Sequence, residues 1–458
     1  MKKILTVLCA LTIAAALFTG CSKKPAAKAA PTKINLWSFT DEIPGMVEKF
    51  KATHPELNFE LNTTIIATTN QEYEPALIPA LQNGEVDIYG AESAFVLKYT
   101  QGDMADYAAP YKDLGIDIDA AIKKADIAPY TVEIGTNPQG QVVGLGYQAT
   151  GGCFIYNRSV AKTVFGSGEP KDVEAAIGGG TQSWDKFWDA AAKCAAKGVA
   201  IVSGDGDIWH AYENSSDKGW IVNNKLYIDP KREAFLDASK ALIDNDWSND
   251  TTDWTEAWYA DMQEAGEKPC FGFFGPAWLI NYVMAGNSGD TYGDWAVCNS
   301  PVGFFWGGTW VLAGKGALKD ENKKAITKAI IEWITLDPTS NGLLYSWANG
   351  TFQWKYGTGA DPSVNTKDTV SSGTVMSISN GTLDFLGGQN MFDYFVPAGA
   401  YANGKNLTQY DSDINALWRD QVRAYANGQK SRDAAIADFK QGRKDKLDNR
   451  RYTLSLLY

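Results

Sequence analysis

The sequence predicts an α/β protein whose sheets are mostly parallel and flanked by helices. Three observations predict it. Hydrophobic periodicity alternates between strand-like and helical through residues 34–89. The chain has 458 residues, enough for about three units or two large lobes. Apolar residues make up 45% and charged residues 21%, the profile of a protein with a sizeable core.

Ile34-Asn35-Leu36-Trp37 reads as the first strand. Asp41 is expected to cap a helix whose apolar positions Ile43, Met46, Val47 and Phe50 follow the i, i+3, i+4, i+7 spacing, and His54-Pro55 ends it. Leu57 to Leu61 alternates as a second strand. A helix through Ala76, Leu77, Ala80 and Leu81 closes near Gly84, and Val86-Asp87-Ile88-Tyr89 is a third strand. Strand, helix, strand, helix, strand marks a parallel sheet with right-handed crossovers. A second lobe begins near Gly140–Tyr147 and continues into Cys153–Asn157. Trp184, Phe187, Trp188 and Ala191 share one helical face, and Phe235, Ala238 and Leu242 share another. Phe271–Phe274 and Asp294–Cys298 read as strands. Ala325, Ile326, Ala329, Ile330 and Trp333 line a strong helix. Ile414, Leu417 and Trp418 open a late one, and Ser431 caps the last, with Ala435 and Phe439 inward. Residues 358–374, rich in Gly, Ser, Thr and Asp, are expected to be a surface loop.

The formal net charge is −12, which argues against a non-specific grip on nucleic acid or anionic lipid. Two histidines leave little room for a His-based metal cage, and no motif asks for a cofactor. The excess lies in 16 Trp, 21 Tyr and 19 Phe. Tryptophan needs a partner for its N–H in a core, so such heavy use points to binding surfaces as well.

The first residues read as an address. Lys2 and Lys3 precede an apolar run from Ile4 to Phe18, and Thr19-Gly20-Cys21 follows. The run has the length of a signal-peptide core rather than a membrane span. The pattern resembles a bacterial lipoprotein signal: residues 1–20 are removed, Cys21 is lipidated, and 21–32 form a flexible tether. Cys153, Cys194, Cys270 and Cys298 then face an oxidising compartment; they allow three pairings among which the sequence does not choose, and a Cys270–Cys298 disulfide is the preferred expectation because both flank strand-like runs.

Several blocks, in order, resemble the family 1 extracellular solute-binding proteins of ABC importers. Ile34–Trp37 with the following helix and His54-Pro55 looks like that family's opening. Gly140–Tyr147 with Phe154-Ile155-Tyr156-Asn157 looks like its "GxxYGLPY…xxxYN" segment, with Val143 in place of Tyr and Gly146 in place of Pro. Gln182–Phe187 looks like its "TWDEF" helix start. Phe274–Trp278, Asn299-Ser300-Pro301 and Gly307-Gly308 match later landmarks. The resemblance spans roughly residues 33 to 445. It implies the type II periplasmic-binding fold, two lobes that exchange strands across a hinge and close over a solute. It places lobe 1 at 33–146 plus 303–348, and lobe 2 at 147–302 plus 349–458. It also implies a carbohydrate guest, an oligosaccharide above all, delivered to permease subunits in the membrane by a monomeric receptor.

A sugar stacks its C–H faces on flat rings and offers its hydroxyls to Asp, Glu, Asn, Gln, Arg and Trp N–H. In parallel sheets, ligands sit beyond the carboxyl ends of strands. Those ends carry Trp37, Ser38, Glu92 and Ser93. Tyr147 falls at the inferred hinge. Trp278 follows Gly275-Pro276, where the family often contacts ligand. Trp306, Gly307 and Gly308 follow the second crossing. Trp209, His210 and Trp220 lie in a polar segment, Trp347 and Trp354 flank the expected third crossing, and Asp393-Tyr394 follow Gly387-Gly388. Trp184, Trp188 and Trp333 are read as core. Within the binding class, the alternatives are a polyol, a polyamine or glycerol phosphate. An extracytoplasmic glycan hydrolase is the alternative of another class, resting on Asp205-Gly206-Asp207 or Asp411-Ser412-Asp413. No GxSxG, HExxH or GxxxxGK[ST] motif is present.

Overall fold

The computed structural model describes residues 30–223, 225–354 and 363–442. The leader, Cys21 and most of the tether lie outside the described residues, as do 355–362 and 443–458. The strands, in chain order, are β1 Thr32–Ser38, β2 Phe59–Ile65, β3 Ile88–Glu92, β4 Gly144–Gly146, β5 Cys153–Asn157, the short hairpin β6 Ile221–Val222 and β7 Lys225–Leu226, then β8 Gly272–Gly275, β9 Trp295–Cys298 and β10 Thr309–Ala313.

Lobe 1 is built on a five-stranded sheet of order β2-β1-β3-β10-β4. Ile34, Leu36 and Ser38 alternate inward along β1, which pairs in parallel with β2 from Thr32↔Phe59 to Ser38↔Ile65 and with β3 at Leu36↔Ile88. The helix Glu42–Thr53 buries Ile43, Met46, Val47 and Phe50, the face its spacing predicts. Asp41 stands at its N-cap, but in helical backbone conformation, and makes no capping bond. β10 arrives only after the chain has traversed lobe 2. It inserts antiparallel between β3 and β4, so strands are exchanged between the lobes. The helix Glu321–Thr335 that follows is capped by Asp320, whose Oδ1 accepts from the Asn322 and Lys323 amides. Lys323 Nζ donates to fully buried Asp87 at 2.7 Å, and Asp87 also accepts from the Asn35 amide at 2.8 Å. A buried carboxylate left without that ammonium would be costly, so the ion pair pins the returning helix to the first three strands.

Lobe 2 centres on β8-β5-β9. The mostly parallel sheet expected of each lobe describes β2-β1-β3. In lobe 2 both named pairings are antiparallel, and parallel pairing is confined to the bridges Ala200↔Cys270 and Val202↔Ser248. The helices Pro230–Asp244 and Asp411–Ala426 pack together on its flank.

Three extended segments cross between the lobes. Residues 147–152 bridge to 303–308 at Gly151↔Phe305 and to 368–372 at Gln148↔Val370. Gly152 N–H donates to Phe304 at 2.9 Å, Trp306 N–H to Thr150 at 3.1 Å and Ser371 N–H to Tyr147 at 3.0 Å. Gly152 is required there, because a Cβ would fall 2.1 Å from the Phe304 ring.

The third segment corrects two expectations. Residues 349–354 and 363–376, expected in lobe 2, pack on lobe 1: Gln353–Trp354, paired with Ser363–Val364, lies against the helix Glu42–Thr53, and the helix Gly373–Met376 against Ile118–Ala125. The chain enters lobe 2 only beyond them. Within the expected surface loop, Asn365, Asp368, Thr369, Ser371 and Ser372 are buried. Apart from Ser371 Oγ, which is buried without a partner, their polar groups satisfy backbone that the crossing leaves unpaired: Asn365 accepts from Phe352 N–H and donates to the Trp347 carbonyl.

Among the described residues Cys153, Cys194, Cys270 and Cys298 are buried and free, which corrects the expected Cys270–Cys298 bond. The two flank β8 and β9, strands on opposite sides of β5, and their side chains enter different core clusters. Burial raises all four thiols, so their thiolates are scarce. Peptide mapping after alkylation without reductant is expected to find these cysteines modified in denaturant and protected in the native protein. A linked Cys270–Cys298 peptide would contradict this.

Candidate functional site

A cleft between the lobes gathers residues distant in sequence. On the lobe 1 side, β3 ends in Glu92, and Ser93, Ala94 and Leu97 continue the wall. On the lobe 2 side, the helix Asp205–Asn214 contributes His210 and Glu213. The helix Asp411–Ala426 contributes Asp411, Asn415 and Arg419, and the second crossing adds Phe305, Trp306 and Gly307. The cavity these residues enclose measures about 300 Å³. A second cavity of about 490 Å³, lined by Gln71, Glu74, Lys98, Gln409 and Asp413 among others, shares Glu92, Ala94, Ser412 and Ala416 with the first. Through these shared residues the two cavities adjoin.

An aromatic cluster adjoins the first cavity and reaches its lining through Trp306 and His210. Trp306 stacks on His210 with centroids 4.6 Å apart and meets Trp278 edge-on at 4.8 Å. Trp254 lies parallel to Trp278 at 6.2 Å and edge-on to Trp306 at 5.8 Å. Trp278 Nε1 donates to the Trp306 carbonyl at 2.9 Å, which fixes the two rings relative to each other. Gly307, at φ +74°, makes this close approach possible, since a Cβ there would meet the Trp278 ring at 3.1 Å. Trp254 is itself at φ +67° and 49% exposed. A large apolar ring held open in a left-handed backbone position is a feature that packing alone does not ask for.

A polar web adjoins the cluster. Glu213 takes His210 Nδ1 at 3.1 Å and Asn415 Nδ2 at 2.5 Å, while Trp220 Nε1 donates to Asn415 at 2.7 Å. Burial pushes the Glu213 carboxyl up, but the His210 hydrogen bond and charge, then Arg232 and Asn415, carry it net below its ordinary value. Arg419 holds Asp253 at 2.6 Å, and this pairing outweighs burial and lowers the Asp253 carboxyl. Glu92 accepts only from its own loop, from Ser93 Oγ and the Ala94 amide, each at 2.8 Å, and burial raises it. Asp411 accepts from Thr408 Oγ1 at 2.5 Å. Its other oxygen is buried with no partner, and burial raises the carboxyl to about 7. Fixed donors, a spare buried acceptor and open ring faces together suit a guest that is apolar on its faces and hydroxylated at its edge.

Among the expected site residues, Glu92, Ser93, Trp209, His210, Trp306 and Gly307 line the first cavity. Trp209 is only 1% exposed, with its ring against Phe235, so it is wall rather than platform. Trp278 stands beside Trp306. Gly308, at φ +109°, gives its carbonyl to the Ser93 amide at 3.0 Å. The others sit elsewhere. Trp37 packs half-buried on the lobe 1 core, and Ser38 is fully buried with its Oγ accepting from Thr40. Tyr147 is buried in the hinge, donating to Glu42 at 2.6 Å, and Glu42 also takes the hydroxyl of Tyr282 from lobe 2 at 2.5 Å. Trp347 and Trp354 pack together at 5.8 Å in the lobe 1 core, because the third crossing lies further along the chain. Asp393 is exposed on the helix Phe392–Ala398 and takes Asn390 Nδ2. Trp220 is fully buried beneath Arg232.

The sequence reading missed Trp254, Glu213 and the stripe Asp411, Asn415, Arg419. That stripe runs at i, i+4, i+8 directly beside the buried Ile414, Trp418 and Val422, and Asp411 is itself buried, so in the sequence it merges with the helix's inward face. Neither acid pair faces its partner across the cavity. Asp205 takes Ser239 and Arg423, while Asp207 takes the Gly204 amide and Trp258 Nε1. Among the described residues, no group of three His, Cys, Asp or Glu side chains is placed to hold a metal ion, and no helix is long and apolar enough to cross a membrane.

No protein-family profile matches the chain, and neither does any curated protein. Solved structures do. An extracellular solute-binding protein of family 1 superposes with a TM-score of 0.71 at 18% identity, over 90% of this chain and 98% of the other. The galacto-N-biose/lacto-N-biose I-binding protein of a Bifidobacterium longum ABC transporter, solved with lacto-N-biose, gives 0.64 at 17% identity, over 92% and 98%. The sugar-binding protein MalE of Xanthomonas citri gives 0.64 at 13%, over 93% and 99%. The chain therefore has the two-lobed fold of the extracellular solute-binding proteins along nearly its whole described length.

Proposed function

We propose that this protein is the solute receptor of an ABC importer, tethered to the membrane through lipidated Cys21, and that it carries an oligosaccharide between its lobes to the permease. The observation that supports this reading is the Trp254–Trp278–Trp306 cluster, whose Trp306 lines the same cavity as Glu92, Asp411, Asn415 and Arg419. Rings take the sugar faces, and carboxylates and amides take the hydroxyls. The second cavity, which adjoins at Glu92 and Ser412, gives room for more than one ring. The guest bridges both lobes, so binding shifts the population toward the closed state, which then docks on the permease. The protein works as a monomer and makes or breaks no covalent bond.

A thermal-shift screen with mono-, di- and tetrasaccharides tests this. Oligosaccharides are expected to raise the melting temperature, by about 2.7 kcal/mol of added stability at a hundredfold excess over Kd. The same sugars are expected to be recovered intact. A response to amines or phosphate esters alone would overturn the carbohydrate reading, and turnover of the sugar would overturn the receptor reading.

A further inference from the structure

We infer that residues 402–410 are a strap that clasps lobe 2 to lobe 1 by protein contacts alone, so that the receptor favours its closed form before any guest binds. The segment leads into the lobe 2 helix Asp411–Ala426, and Asn406 Nδ2 anchors it there by donating to the Ser216 and Asp217 carbonyls. Gly219 packs so tightly on it that a Cβ would fall 2.1 Å from the Asn406 carbonyl oxygen. Its other side belongs to lobe 1. Ala402 and Leu407 pack against the lobe 1 core cluster that holds Tyr89, Tyr99 and Ile134. Gly404 closes on Ile134, where a Cβ would come within 2.6 Å. Lys405 Nζ lies 3.5 Å from Glu133.

The pair Asp103 and Gln409 completes the clasp. The Asp103 amide donates to Gln409 Oε1 at 3.1 Å, and Gln409 Nε2 donates back to Asp103 Oδ1 at 3.1 Å. This two-way match fixes one register between the lobes. The strap also walls both cavities: Leu407 and Thr408 line the first and Gln409 the second. An open form must therefore expose Leu407 and break the Asp103–Gln409 pair. These contacts are independent of the guest's chemistry, so the inference stands whether or not the guest is a sugar.

Fluorescence energy transfer on the full chain without added solute tests it. Labels go on Lys123→Cys in lobe 1 and Lys193→Cys in lobe 2, both exposed positions, while Cys153, Cys194, Cys270 and Cys298 stay buried. The otherwise unaltered protein is expected to show mainly the closed distance. Gln409→Glu sets a carboxylate against Asp103 and is expected to lower the closed-to-open ratio about tenfold, more at low salt than at high. Adding Asp103→Asn restores a donor to that carboxylate and is expected to return the ratio toward its starting value. Both side chains are at the surface, and an unchanged melting temperature verifies folding. A protein that is mainly open, or variants that leave the ratio unmoved, would overturn the strap.

Discussion

Trp306→Ala is expected to weaken oligosaccharide binding about thirtyfold while leaving the melting temperature of the unliganded protein within a few degrees. The ring is half-buried, stacked on His210 and edge-on to Trp278 and Trp254, with its free surface turned to the cleft. Losing that surface removes roughly 2 kcal/mol of apolar and ring contact, and about 1.4 kcal/mol is tenfold in Kd. The hydrogen bond from Trp278 goes to the Trp306 backbone carbonyl, so the variant retains it and the second ring stays in place. Trp306→Phe keeps a flat face and is expected to recover part of the loss. Trp347→Ala provides the contrast. That ring is 1% exposed in the lobe 1 core, and its removal is expected to cost about 3–5 kcal/mol of stability with little change in the affinity of the protein that still folds. Calorimetry with the glycan giving the largest thermal shift, beside denaturant melts, separates the two. Equal losses of affinity in both variants would remove Trp306 from the site.

Stability is expected to fall as pH rises from about 4 to about 7, and to level off above that. Burial raises Asp207, Asp368 and Asp411 from an ordinary value of 3.8 to about 7. Between those values the folded chain holds protons that the unfolded chain has released. Deprotonation therefore favours the unfolded state, and stability declines with rising pH through that window. Glu42, raised by burial in the hinge, works in the same direction. Glu213 and Asp253 are lowered, so their contribution is present above the unfolded pKa and is lost only as pH falls below about 4. The optimum is therefore expected on the acid side of neutrality. One pKa unit corresponds to about 1.4 kcal/mol, which bounds each raised aspartate at about 4 kcal/mol. Asp368→Asn is neutral at every pH and is expected to flatten the profile and raise the melting temperature near pH 8. Asp368 takes Gln148 Nε2 and the Thr369 amide, and an asparagine oxygen can still accept one of them. A melting temperature that climbs from pH 5 to pH 8 would contradict the assignment.

The two predictions draw on residues that the sequence revealed unequally. Trp278 was legible because it follows Gly275-Pro276, where the family resemblance implies a ligand contact, Trp306 because it follows the second crossing, and Glu92 because it ends a strand of recognisable period. Trp347 and Trp354 were misread because their assignment depended on where the third crossing lies. A polar run rich in Ser, Thr and Asp looks like exposed loop whether it meets water or, as at 365–372, satisfies buried backbone. Asp368 was invisible for the same reason.

The alternation of strand and helix in lobe 1 and the buried helix faces were determined by the sequence alone, since periodic burial is a local property that neighbouring residues report together. Which tryptophans meet the cleft, which lobe holds 349–354 with 363–376 and which acids lose water were decided only by the tertiary structure. The chemistry of a tryptophan or an aspartate is the same in core and cleft, and its role is set by contacts with residues one or two hundred positions away.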